Sequence, residues 1–375
     1  MISDAARMIV LYHVESTAEA IASRAAAIAV EQSVEVSLAV IDDAFVREAV
    51  CGRVEDIREM AGGPFEVRIG LATATTGAEP GQLLNMLFGN TSLQPDVTLH
   101  DVLLPADLAR AFAGPNHGIA GLRRRLSAER RALTCAALKP QGLSHDRLAA
   151  LAGRLAQGGV DIIKDDHGLA DQSYSRFADR VPACAAAVRR ANDASGGRSR
   201  YAPSLSGDLD RLRHQIRIAA AEGVDTVLIA PMLVGLPAFH RLVRDFPEMA
   251  FLAHPAMAGA ARIAPALLLG RLFRMLGADA TIFPHTGGRF HYTLEECRNL
   301  AEVARGPFHG LNPTLPVPAG GMTRARVPEI LKVYGPDMMV LIGGDLLAAG
   351  DSLVEAARGF TGDVARLSAP AAVSE

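Results

Sequence analysis

The sequence predicts an α/β chain, a (β/α)8 barrel preceded by a smaller α+β domain, and three observations lead there. At 375 residues the chain is too long for one small core and suits a large barrel with a lesser partner. From Leu133 onward, short apolar runs alternate with amphipathic helices at intervals of about 25 to 35 residues, the spacing of successive βα units in a parallel barrel. Charged residues, histidines and glycine pairs stand directly after several of those runs, where a barrel keeps its chemistry.

The elements follow in order. Met8 to Leu11 is β-prone, and Thr17 to Glu31 reads as an Ala-rich helix with Thr17 as its N-cap. Val34 to Ile41 alternates like a half-buried strand, and Val46 to Arg53 and Pro64 to Leu71 read as two more. Gly81 to Phe88 looks helical, and Asp96 to Leu104 returns to strand. Residues 1–113 are therefore expected to form a small α+β domain of ferredoxin-like kind. Gly114-Pro115-Asn116-His117-Gly118-Ile119 is turn chemistry, and with the basic helix Leu122 to Arg130 it makes residues 114–132 a connector. Residues 133–375 then hold the barrel, with strand ends near Leu138, Ile163, Leu205, Ala230, Ala253, Phe283, Val317 and Leu341. The helices between them are Ser144 to Gln157, Arg176 to Ala194, Asp208 to Ala221, Leu236 to Asp245, Ala266 to Leu276, Leu294 to Val303, Arg326 to Val333 and Gly350 to Ala357, several of them capped by Ser, Thr or Asp.

Composition narrows the partners. Hydrophobic residues make up 49% and charged residues 21%, the balance of a soluble globular protein. A formal charge of -3, with no dense basic run interleaved with aromatics, argues against nucleic acid. No run of about 18 apolar residues suggests a membrane span. Met1 to Val14 lacks the pattern of a secretory signal, so a cytoplasmic protein with a small-molecule partner is expected. Cys51, Cys135, Cys184 and Cys297 have no CxxC spacing and read as reduced core residues.

The strand ends carry the candidate chemistry. The first is followed by Lys139-Pro140-Gln141-Gly142-Leu143-Ser144; a lysine at a barrel mouth can serve as a base or proton carrier, the plain alternative being a surface lysine at a turn. The second runs into Lys164-Asp165-Asp166-His167, which brings oxygen and nitrogen donors to one point and suggests a metal site, the alternative being a solvated acidic loop. His254 follows the fifth strand and His285 the sixth, as substrate-facing groups or as packed core histidines. Gly320-Gly321 after the seventh strand and Gly343-Gly344 after the eighth leave backbone N–H groups free for a phosphate.

Taken together, these motifs resemble the RuBisCO large-subunit superfamily. Gly114 to Ile119 is similar to its inter-domain segment, Lys139-Pro140 with Gly142-Leu143-Ser144 to its strand 1 lysine motif, and Gly159 to Asp166 to its carbamylated-lysine motif, in the same order. The resemblance implies a TIM barrel after an α+β domain, and a homodimer whose active site is completed by the partner's N-terminal domain. It implies that Lys164 takes up carbon dioxide as a carbamate and, with Asp166, binds one magnesium ion. Lys139 would be the proton-transfer lysine, His254 and His285 would face the substrate, and Gly320, Gly321, Gly343 and Gly344 would hold one phosphate. Glu31 and Asn90 look like the residues that reach across the dimer.

The departures point away from carbon fixation. His167 stands where the family has a third metal ligand, a glutamate; imidazole still binds a metal but removes one negative charge. Gln141 stands near the second lysine of the strand 1 motif, Pro255 replaces the arginine after His254, and Thr286 to Leu294 contains no lysine. The chain thus looks like a RuBisCO-like protein of form IV type. One metal, one lysine and one phosphate cradle suffice to stabilise an enediolate. The expected reaction is decarboxylation or transcarboxylation/hydrolysis of 3-oxo-isoapionate 4-phosphate, by similarity to the apionate-breakdown branch. The alternatives are an enolase or isomerase on a methylthio-pentyl or ribulose phosphate of methionine salvage, and a non-catalytic binding relative.

Overall fold

The structure is a computed structural model and describes residues 6–368. Two compact units divide it. One runs to Ala113 and takes in Met257–Leu268 and His309–Leu311; the other holds Gly114–Ala256, Leu269–Phe308 and the chain from Asn312.

In the first unit, β1 (Arg7–Val14), β2 (Arg53–Glu59), β3 (Phe65–Ala72) and β4 (Val97–Leu103) form an antiparallel sheet in the order β2-β3-β1-β4. Helices Ile21–Glu31 and Pro80–Phe88 lie between β1 and β2 and between β3 and β4, which is the ferredoxin-like arrangement. Val10, Tyr12, Val67, Ile69, Val97 and Leu99 are fully buried, so the central strands pack one apolar face.

Three expectations here need correction. The Val34 to Ile41 alternation forms no strand: Leu38–Val40 is a 3-10 turn, and Val36, Leu38 and Val40 are exposed, so the pattern has no sheet to bury against. Val46–Val50 is a π-helical turn rather than a strand. The true strand is Arg53–Glu59, an edge strand paired only with β3 and almost wholly exposed, whose charged sequence hides its period. Thr17 caps a turn, accepting from the Ala20 amide at 3.3 Å, and the helix itself begins at Ile21.

The second unit is a (β/α)8 barrel. Its strands are β5 (Leu133–Leu138), β6 (Ile162–Asp165), β7 (Arg200–Ala202), β8 (Thr226–Ile229), β9 (Ala250–Ala253), β10 (Ala280–Pro284), β11 (Leu315–Ala319) and β12 (Met339–Ile342). Parallel ladders join β12-β5-β6-β7 and β8-β9-β10-β11; a bridge from Ser204 to Leu228 links β7 to β8, and β11 lies beside β12. The helices are set by local signals. Ser144 and Asp208 cap theirs, and Thr293 with Glu296 makes a capping box. Ala266–Leu272 is π-helical before the short helix Phe273–Met275, and the last helix runs Leu353–Ser368, beyond the expected Ala357.

The stretch expected as a connector carries helix Gly118–Leu126, whose Ile119, Leu122 and Leu126 join the interior cluster of the barrel and close its lower end. The turn before it is pinned there: the His117 and Gly118 amides both donate to Asp279 Oδ1 at 2.7 Å. All four cysteines are free and buried. Among the described residues no helix is long and apolar enough to cross a membrane.

Candidate active site at the barrel mouth

Side chains alternate along a strand, so every second residue faces the barrel axis. Cys135, Ile162, Ala202, Leu228, Leu252, Ile282, Val317 and Leu341 belong to the interior cluster. Counting on by two from these reaches Lys139, Lys164 and then Asp166, Ser204, Ala230, His254, Pro284, Ala319 and Gly343 at the upper rim. The rim therefore collects two lysines, a carboxylate and an imidazole over an apolar floor.

The charges there are interlocked. Lys139 Nζ lies 2.9 Å from Asp166 Oδ1, and His167 Nδ1 lies 3.3 Å from the same oxygen. Burial alone would raise the Asp166 pKa, but His167 and Lys139 hold the carboxyl well below the usual carboxylate range. Lys164 is 3% exposed and donates to the Asp165 carbonyl at 2.9 Å. Burial pushes its pKa below the ordinary lysine value, which favours the neutral, nucleophilic amine.

The His254 ring stacks on that of His167, centroids 4.2 Å apart and planes 9° from parallel. Burial, then the neighbouring Lys164 and His167, push the His254 pKa down to about 2. Its Nδ1 accepts the Ala256 amide at 3.2 Å, so the neutral ring carries its proton on Nε2. Beside the two rings is a cavity of about 250 Å3, lined also by Ser204, Leu205, Ala230, Leu233 and Val234. Sequence reasoning missed it; the available signal was the apolar run Pro231 to Val234, a short helix just beyond the end of β8.

Two expected members stand elsewhere. Asp165 has the opposite parity and faces the helices, where its Oδ2 receives Arg180 Nε at 3.0 Å and the Ser204 amide at 3.1 Å, and its Oδ1 receives the Tyr201 hydroxyl at 2.8 Å. It is a structural anchor for the end of β6. Arg180, inside the amphipathic helix Phe177–Ser195, gave no sequence signal as its partner.

His285, expected to face the substrate, also lies outside the axis. Thr281 bonds the Leu269 carbonyl, Phe283 packs edge-on to Tyr334, and His285 continues that face with Nδ1 2.7 Å from the Tyr334 hydroxyl. It is fully buried, and its Nε2, 4.0 Å from Glu329 Oε1, has no hydrogen-bond partner among the described residues.

Gly320 and Gly321 both adopt positive φ, 86° and 77°, as a loop that exposes its backbone requires. Gly343 lies against the Lys139 stem, so the second glycine pair borders the lysine. The loop after β10 abuts the loop after β11: a methyl on Gly288 would run into the Gly320 carbonyl oxygen. In the first unit, Asn90 Nδ2 donates to Glu31 Oε1 at 2.9 Å, which brings those two candidates together. Among the described residues no three His, Cys, Asp or Glu side chains are grouped to hold a metal. The donors that the rim brings together are Asp166 and His167, with Lys164 beside them.

Residues 118–361 match the model of the ribulose bisphosphate carboxylase large chain, catalytic domain. The chain is 58% identical over 360 residues to a 5-methylthioribulose-1-phosphate isomerase of Rhodospirillum rubrum, covering 96% of each. It is 32% identical over 305 residues to a 2,3-diketo-5-methylthiopentyl-1-phosphate enolase of Geobacillus kaustophilus, covering 78% of this chain and 73% of that one. The crystal structure of a Rubisco-like protein from Rhodopseudomonas palustris superposes with a TM-score of 0.90 at 53% identity, covering 96% of this chain and 97% of that one.

Proposed function

The chain belongs to the RuBisCO large-chain family as a RuBisCO-like member, and we propose that it isomerises a methylthio-pentulose phosphate by moving a proton between adjacent carbons. The observation that carries this reading is the Lys139–Asp166 pair at 2.9 Å beside buried Lys164: a positioned amine, a carboxylate to steady its charged form, and a second amine suited to carbamylation. The names of the two relatives, an isomerase and an enolase of methylthio-sugar phosphates, support it. The expectation of 3-oxo-isoapionate 4-phosphate as substrate draws no support from them and gives way to the methionine-salvage alternative. A non-catalytic role accounts poorly for a buried lysine at the mouth.

The residues suit proton transfer. Lys139 in its neutral form takes a proton at Nζ from the carbon next to the substrate carbonyl, and Asp166 stabilises the resulting ammonium. The C–H electron pair moves into an enediolate, to whose oxygen His254 donates its Nε2–H bond. The proton returns to the neighbouring carbon while the hydroxyl proton passes from one enediolate oxygen to the other, so the carbonyl has moved by one carbon and no atom is gained or lost. Gly320, Gly321, Gly343 and Gly344 hold the phosphate through backbone N–H groups. In a homodimer, Glu31 and Asn90 of one copy would complete the site of the other.

One magnesium ion fits the donor set. Asp166 and His167 stand together at the rim and offer an oxygen and a nitrogen donor 3.3 Å apart. Carbamylated Lys164, Asp166 and His167 would hold it. Bound there, it would polarise the carbonyl and hydroxyl oxygens as a Lewis acid.

Incubation of the protein with magnesium, bicarbonate and 5-methylthioribulose 1-phosphate should give an isomeric phosphate by NMR. Unchanged substrate sinks the proposal. Calorimetry should find magnesium binding at least tenfold tighter with bicarbonate than in buffer freed of carbon dioxide, and Lys164→Met should lose that difference. Equal binding in both buffers argues against a carbamate. Gly288→Ala, by displacing the Gly320 carbonyl, should raise KM for the phosphorylated substrate about tenfold; an unchanged KM counts against the cradle.

A further inference from the structure

A substrate with a phosphate at one end and a thioether at the other needs two unlike subsites with the reacting groups between them. Around the barrel the strands run β5 to β12 in order, so the ends of β7 and β8 face those of β11 and β12 across the mouth. The glycine pairs follow β11 and β12. The 250 Å3 cavity opens at the ends of β7 and β8. Lys139, Lys164 and Asp166 at the ends of β5 and β6, and His254 at the end of β9, stand between the two.

The cavity lining sets aliphatic side chains beside the two serines Ser204 and Ser206. Leu205, Ala230, Leu233 and Val234 line it with aliphatic carbon, and the stacked imidazoles of His167 and His254 form one wall. Aromatic rings favour contact with sulfur. Leu233 is 60% exposed, a large apolar side chain at the rim.

We infer that this cavity seats the methylthio end of the substrate and that Leu233 is a specificity-determining residue; this rests on the isomerase reading above. The subsite would select a thioether over a hydroxyl at the carbon farthest from the phosphate. One apolar group in such a pocket is worth about 10- to 200-fold in discrimination.

The test compares 5-methylthioribulose 1-phosphate with ribulose 1-phosphate, which carries a hydroxyl in place of the methylthio group. Affinities are measured by calorimetry without added metal, for the wild type and for Leu233→Asp, whose exposed position tolerates the charge. The expected result is a preference of tenfold or more for the methylthio compound in the wild type, falling below threefold in the variant. No preference in the wild type, or the same preference in the variant, overturns the inference. Failure of the isomerase reading is seen separately, as absence of product in the NMR assay, because the affinity ratio needs no turnover.

Discussion

Lys139→Met should lower kcat/KM for the isomerisation by about 10²- to 10⁴-fold, the range for loss of a positioned acid-base group. That is about 3–5 kcal/mol of transition-state stabilisation. Lys139 is 2.9 Å from Asp166, with its side chain 37% exposed, so methionine removes the proton carrier without opening a buried hole. Two readouts separate this role from a structural one. Magnesium binding in bicarbonate should persist, because Asp166, His167 and Lys164 are untouched. Exchange of the substrate's transferable hydrogen with deuterated solvent should fall with turnover. A variant that keeps more than a tenth of wild-type activity would remove Lys139 from the mechanism.

The second large effect is on stability. Arg180 and Asp165 are both fully buried, 3.0 Å apart, and Arg180 also donates to the carbonyls of Ser175 at 2.7 Å and Ala170 at 2.8 Å. Arg180→Met leaves the Asp165 carboxylate buried with only Tyr201 and the Ser204 amide, and should cost about 3–5 kcal/mol in urea unfolding. The double variant Arg180→Met with Asp165→Leu should recover part of the loss, since it removes the uncompensated charge. If the single variant is as stable as the wild type, the pair does not anchor β6. Asp165 lies between Lys164 and Asp166 in sequence, so loosening it should also reduce activity.

Most of the barrel was legible because its signals are local. Apolar runs of strand length, capped helices and turn glycines recur with one period, and the eight expected strand ends fall within three residues of those observed. The misplaced strands lie in the first unit, where local pattern and tertiary pairing disagree. Val34 to Ile41 has the alternation of a strand but no neighbour, whereas Arg53–Glu59 has a neighbour but a sequence too charged to show its face.

By itself the sequence determined the family, the order of the βα units and which residues stand at each strand end, because these depend on residue identity and spacing along one chain. Only the tertiary structure decided which way those residues face. Asp165 and Asp166 are adjacent, and His254 and His285 both follow apolar strands, yet one of each pair points to the mouth and the other into the layer beneath the helices. Barrel strands are buried on both faces, so the apolar pattern carries no parity; the register of the closed sheet supplies it.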